Sequence, residues 1–352
     1  MDTLTHALSG ALLGRATAPR TPGPHTLSVQ GRMLAGAAAA AFPDIDFVTN
    51  YLSPLSYLYH HRGVTHSILL IPAWAIVLAM ILALLSSDRR NWRAYLGISA
   101  IGIAAHIAGD LITSYGTMVF APLSDARYAL SATFIIDLWF TGILFAGFAA
   151  CFMWRSSRVP AIAGLAVVAG YVGFQVGLQH RAIDFGEAYA RARGIERAAV
   201  TAMPRPVSPF NWTVFVTEDT RYHYAHVNLF RKAALPEPGA ESGFIRKLDA
   251  PYRPLDDTVW AQAERYGGDA KRAVLAKAAF AHPEFRFFRW FALYPALMDA
   301  RGANEERCFW FHDLRFVTPG RGAAPFRYGM CRDETGGWLP FQLLGGKTRR
   351  VY

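Results

Sequence analysis

The chain is poor in cysteine and in charge. Three cysteines in 352 residues cannot build a disulfide scaffold or a Cys-rich zinc site. Cys151 falls inside an apolar run. Cys308 and Cys331 lie in the polar half, where they could pair only in an oxidising compartment. Charged residues are 18% of the chain against 53% hydrophobic, too apolar for an ordinary soluble protein. No stretch joins clustered Lys/Arg to a nucleic-acid reader pattern, so the net charge of +10 does not imply a nucleic-acid partner. The N-terminus, MDTLTHALSGALLG, lacks the basic segment of a secretory signal and reads as part of the mature fold.

Long uncharged runs fill residues 1–180. Residues 181–352 are rich in Arg, Asp, Glu and Pro, which sets a boundary between a helical membrane domain and an extramembrane domain. Four runs approach the roughly 20 residues needed to cross a bilayer: Ile68–Leu85, Ala94–Thr113, Thr133–Trp154 and Val159–Gln179. The first and last carry no charge, which argues against helices buried in a soluble core. Two shorter apolar helices, Leu4–Leu13 and Met33–Phe42, are expected to form a hairpin packed on the spans. GAAAAA at 36–41 suits close helix approach. The fold class expected is thus an α-helical membrane protein with four long transmembrane helices, a short N-terminal helical hairpin and a small α+β C-terminal domain.

The basic loops SSDRRNWR (86–93) and RSSR (155–158) are placed inside by the bias of cytoplasmic loops toward Lys/Arg. The loop 114–132, the segment 59–67 and everything after Gln179 then fall outside. Ionisable groups at membrane depth are costly and mark function. With this orientation His6, Asp44, Asp46, His60, His61, Arg62, His66, His106, Asp110 and Asp137 all land near the outer face, although loop charge alone set the orientation.

Their spacing suggests metal ligation. His106 and Asp110, in AHIAGD, share one helix face at i and i+4; the plain alternative is a local hydrogen bond. His61 and His66 flank a turn permitted by Gly63, and His60 is equally well read as a solvated interfacial histidine. Asp44 and Asp46, in FPDID, ligate or cap a helix, and capping accounts for one Asp better than for two. His6 is supported only by its depth. Arg62 either stabilises an oxyanion or phosphate or snorkels at the interface. A His/Asp set without thiolate favours zinc, manganese or iron, with zinc the default for hydrolysis. More than four candidates implies one or more ions.

THAL (5–8), PDID (43–46), HRGVTHS (61–67), HIAGDLITSYGT (106–117) and FIIDLWF (134–140), in that order, resemble the bacterial inner-membrane proteins known as membrane-bound metal-dependent hydrolases, associated in some members with the SOS repressor. NWTVFVTEDTRYHYAHV (211–227) resembles the less constant C-terminal region of that family. The family is distantly similar to zinc-dependent phospholipase C and the S1/P1-type nucleases, although the longer downstream His/Glu set of those enzymes is missing here. The resemblance implies His6, Asp44, Asp46, His61, His66, His106 and Asp110 as metal ligands. Arg62 and Asp137 are the candidate catalytic residues.

In the polar half, residues 182–195 read as helix. Trp212–Thr217 and the following YHYAHV read as a strand–turn–strand unit. Glu284–Phe288, Cys308–Phe316 and Pro325–Met330 read as strands, and 257–280 as a helix interrupted near Gly267-Gly268. His223 and His226 read as packing residues more than as ligands. The function expected is a metal-dependent hydrolase of the bacterial inner membrane, multi-pass, with its C-terminal domain in the periplasm. Its substrate would be a phosphoester, with a membrane lipid head group the natural case. The alternatives are an ion- or proton-coupled transporter and a non-catalytic membrane factor stapled by metal.

Overall fold

The computed structural model describes residues 1–21, 23, 26–86, 91–298, 307–345 and 347–351. Half of the basic loop 86–93, including Arg89 and Arg90, lies outside the described residues. The chain divides into two compact units: residues 1–52 with 60–177, and residues 53–59 with 178–352.

The first unit is helical. Asp2 caps α1 (Thr3–Ala16) by accepting from the Thr5 amide, and Ser28 caps α2 (Val29–Ala41) by accepting from Gly31. The two helices form the short hairpin foreseen from sequence. They touch through backbone: a Cβ on Gly10 would stand 2.1 Å from the Gly36 carbonyl oxygen, and one on Gly14 would stand 2.4 Å from that of Arg32. Only glycine admits so close a crossing. Pro43 then opens a 3-10 helix, Phe42–Tyr51, that carries Asp44 and Asp46. After α3 (Pro54–His60), whose residues up to Tyr59 belong to the second unit, the short 3-10 turns Val64–His66 and Ile68–Leu70 lead into α4 (Ile71–Leu85). Next come α5 (Trp92–Leu111), α6 (Leu138–Met153) and α7 (Val159–Ala192).

Among the described residues three helices are long and apolar enough to cross a membrane, where four were expected: Ile68–Leu85, Trp92–Leu111 and Val159–Ala192. The third expected run is shortened because the Asp137 side chain accepts from Trp139 and Phe140 and starts α6 there. Its 16 residues reach roughly 24 Å, short of a hydrocarbon core of about 30 Å. Val77, Met80, Ile81 and Leu84 on α4, and Ile162, Val167 and Phe174 on α7, are exposed apolar side chains, as lipid-facing surface requires. Leu8, Leu12, Phe140, Leu144 and Val168 form one core; Ala39, Ala75, Leu78, Ile103 and Ile107 form another.

The second unit holds two antiparallel sheets. β1 (Ala199–Pro204), β2 (Asn211–Glu218), β3 (Arg221–Asn228) and, after α8 (Phe244–Asp249), β4 (Trp260–Glu264) pair in that order. α9 (Ala270–Ala281) and α10 (Arg286–Phe291) precede the second sheet, in which β5 (Pro295–Leu297), β6 (Cys308–Asp313), β7 (Tyr328–Arg332), β8 (Trp338–Leu344) and β9 (Lys347–Arg350) also pair in order. Residues 211–216 of β2 are buried on both faces. Trp212 and Val214 pack with Leu178 and Ala182 of α7, whereas Phe215 stacks on Tyr294.

Two expectations fail in this unit. The stretch 257–280 is strand β4 followed by α9, which Asp269 caps after Gly267 turns the chain with φ of 81°. The segment 284–288 is helical, because Phe285, Phe288 and Phe291 recur every third residue and are buried together. Cys308 and Cys331 face each other across β6 and β7 and are joined as a disulfide.

Candidate metal centre

Four side chains from three parts of the first unit converge. Asp44 comes from the 3-10 helix, His66 from the turn before α4, and His106 and Asp110 from one face of α5. One ligand atom from each lies within 4.8 Å of the others, and all but Asp44 are fully buried. His66 Nε2 and His106 Nε2 stand 2.9 Å apart. His66 Nε2 is 3.2 Å and His106 Nε2 3.6 Å from Asp110 Oδ2, and His106 Nε2 is 3.6 Å from Asp44 Oδ1.

The far nitrogens explain this aim. His106 Nδ1 donates to the Ala40 carbonyl at 2.6 Å. His66 Nδ1 lies 3.2 Å from Asp46 Oδ2, and Asp46 in turn accepts from the Thr65 hydroxyl at 2.9 Å. A hydrogen bond at Nδ1 fixes the ring and turns the Nε2 lone pair inward, the usual support of a metal-binding histidine. Two imidazole lone pairs cannot face each other at 2.9 Å unless a cation stands between them, either a proton or a metal ion. The donor set fits a divalent ion of the zinc, manganese or iron type.

The other sequence-predicted residues surround this group. Asp46 bridges His61 (2.7 Å) and His66, so Asp46 and His61 sit in a supporting layer. His6 stacks on His106 with ring centroids 3.7 Å apart and reaches Asp110 Oδ1 at 3.3 Å. Arg62 is buried and pairs with Asp110 Oδ1 at 2.9 Å, while its other terminal nitrogen donates to Thr113 Oγ1 at 2.9 Å. The Met1 amino group also contacts Asp110. Asp137 caps α6 and accepts from the Tyr171 hydroxyl at 2.9 Å. His60 is exposed. In the second unit His223 Nδ1 meets the Tyr189 hydroxyl and His226 Nδ1 meets the Thr213 hydroxyl.

The turn foreseen at Gly63 is made one residue earlier. Arg62 adopts φ of +62°, a region L-residues avoid. Its amide donates to Asp46 Oδ2 and its carbonyl accepts from Met118, which together hold the strained backbone. Glycine is still needed at 63, where a Cβ would lie 2.8 Å from the His60 carbonyl.

Charge is balanced locally. Burial alone would raise the Asp46 carboxyl, but hydrogen bonds from His61 and His66 hold it below the usual carboxylate range. Burial pushes His61 down more than Asp46 pulls it up. At His66 burial also pushes down, yet the Asp110 and Asp46 carboxylates outweigh it and the net shift is upward.

Thr65, Thr113 and the Ala40 carbonyl were not among the residues read from sequence. Thr65 lies inside HRGVTHS and was visible as a hydroxyl beside two histidines; a backbone carbonyl leaves no sequence signal. Residues 1–182, which carry the whole centre, match the family described as YdjM inner membrane protein. The chain belongs to that family. The description gives a location and no activity. A relative, "Uncharacterized protein YfhP" of Bacillus subtilis (strain 168), is 30% identical over 175 residues, 49% of this chain and 52% of that protein. The chain thus spans about half the length of the curated relative it matches. No solved structure matches. The family and its apolar helices place the protein in the inner membrane.

Proposed function

We propose that this YdjM-family protein is a metal-dependent hydrolase acting on a phosphoester at the outer boundary of the inner membrane, with a lipid head group as the natural substrate. One observation carries the reading: two histidines with fixed Nδ1 protons aim their Nε2 atoms at a point shared with two carboxylates. His66, His106, Asp44 and Asp110 would hold a divalent ion, with zinc favoured by the donor set. Such an ion supplies Lewis acidity and an activated water for phosphoester cleavage.

The protein's own residues do the rest. Asp46 and the Ala40 carbonyl hold the two imidazoles in one tautomer. Arg62 neutralises Asp110 and so acts on the carboxylate and not on substrate. Asp137 serves the start of α6. Asp44 is the partly open member of the four, so water and substrate reach the centre there. Loop charge and the Cys308–Cys331 bond both support a periplasmic second unit.

Hydrolysis of a chromogenic phosphodiester and of phosphatidylglycerol by the purified protein tests the reading. Turnover should stop with chelator and return with zinc; turnover indifferent to chelator rejects it. A second reading, a structural ion, draws on the same burial, because the centre ties α5, the 3-10 helix and the turn before α4 together. It predicts that His106→Ala unfolds the protein, whereas the enzyme reading predicts a folded, inactive variant.

A further inference from the structure

The helical unit has a second feature at the end opposite the metal centre. On α1, Arg15 lies nine residues beyond His6, roughly 13 Å along the axis. On α2, Ser28 lies at the end remote from Ala40. Here the ends of α1 and α6 meet the start of α2 around a cavity of about 360 Å³, lined by Arg15, Ser28, Val29, Met33, Phe152 and Arg155 among others.

Among the described residues its electrostatics lack a counter-charge. Arg15 is only 6% exposed. Its terminal nitrogen donates to the carbonyls of Arg155 and Ser157, and its Nε has no hydrogen-bond partner among the described residues. Arg155 is exposed, and its Nε donates to the Phe152 carbonyl. Among the described residues no ion pair reaches Arg15, Arg32 or Arg155. A buried guanidinium answered only by carbonyls is costly and invites an anion. The first amides of the 13-residue α2 add positive potential at the same place. Beside Gln30, part of the wall is apolar: Val29 is 37% and Phe152 is 53% exposed next to Met33. A free anion would have no use for that wall, but a lipid has both parts.

We propose that this cavity binds the phosphate of an anionic phospholipid, with Arg15 and Arg155 as cationic contacts and Val29, Met33 and Phe152 beside the acyl chains. This site does not depend on the metal centre or its chemistry. It would give the helical unit a fixed lipid at the bilayer face opposite that centre.

Native mass spectrometry of the full chain in detergent, titrated with phosphatidylglycerol or phosphatidylcholine, tests it. Each arginine near a phosphate contributes roughly a fivefold preference, so phosphatidylglycerol should bind at least about tenfold more tightly. Arg155→Gln removes an exposed side chain but keeps the carbonyl that Arg15 uses. It should weaken phosphatidylglycerol about fivefold, with phosphatidylcholine and the melting temperature unchanged. Gln30→Glu, an exposed change in the same lining, should act in the same direction and serves if Arg155→Gln folds poorly. Equal affinity for the two lipids, variants that bind like the native chain, or full displacement of phosphatidylglycerol by inorganic phosphate would overturn the proposal.

Discussion

His66 and His106, forty residues apart in sequence, bring their Nε2 atoms to 2.9 Å while each Nδ1 is tied elsewhere. The arrangement makes Asp46 a positioning residue for His66. Asp46→Ala should therefore weaken zinc affinity by roughly 10–100-fold without abolishing it, whereas His66→Ala should remove binding. Isothermal titration of the detergent-solubilised variants with zinc measures both.

The α1–α2 crossing sets where His6 and Ala40 stand. Gly10→Val forces a side chain into the Gly36 carbonyl and should destabilise the helical unit by about 1–3 kcal/mol or more. Gly142→Ala meets nothing within 4 Å and should be neutral or slightly stabilising. Thermal melts followed by circular dichroism should separate the two.

Much of this was legible in the chain. The uncharged runs announced the helices, and Asp44, His66, His106 and Asp110, which the structure brings together, could be picked out by residue type and depth among a larger set of candidate ligands that also held His6, Asp46 and His61. The layering could not. Whether Asp46 or Asp44 faces the centre depends on how a 3-10 helix presents two carboxylates on either side of Ile45, which alternation does not encode. The pairing of Arg62 with Asp110 was hidden because the two lie far apart along the chain. The capping role of Asp137 was hidden because a cap and a buried acid share one signature until the helix start is known. In the second unit β2 is covered on both faces, and the phenylalanines of 285–291 follow a helical and not a strand period.

The second unit should lose stability in acid. Burial lowers His226 to about 3 and His312 to about 4, so both stay neutral in the folded state. The unfolded chain binds protons below its ordinary histidine value of about 6.5. Stability contributed by these groups is thus complete above pH 6.5 and declines as pH falls toward 4. Each histidine adds up to about 1.4 kcal/mol per pH unit over that range. His226→Gln should flatten the profile measured by urea unfolding with tryptophan fluorescence.

The Cys308–Cys331 bond closes a loop with a sequence separation of 23. A paired Cys308→Ser and Cys331→Ser change should cost about 3 kcal/mol in the second unit. In intact cells, periplasmic exposure predicts both thiols blocked to maleimide until a reductant is added. Thiols that label without reductant would place this unit in a reducing compartment.

The most direct test is the metal content of detergent-purified protein after dialysis against zinc, by elemental analysis, for the native chain and His106→Ala. The account predicts at least one ion per native chain and loss of that ion in a variant whose circular dichroism is unchanged. A native chain free of metal, or a variant that retains its full complement, would contradict it.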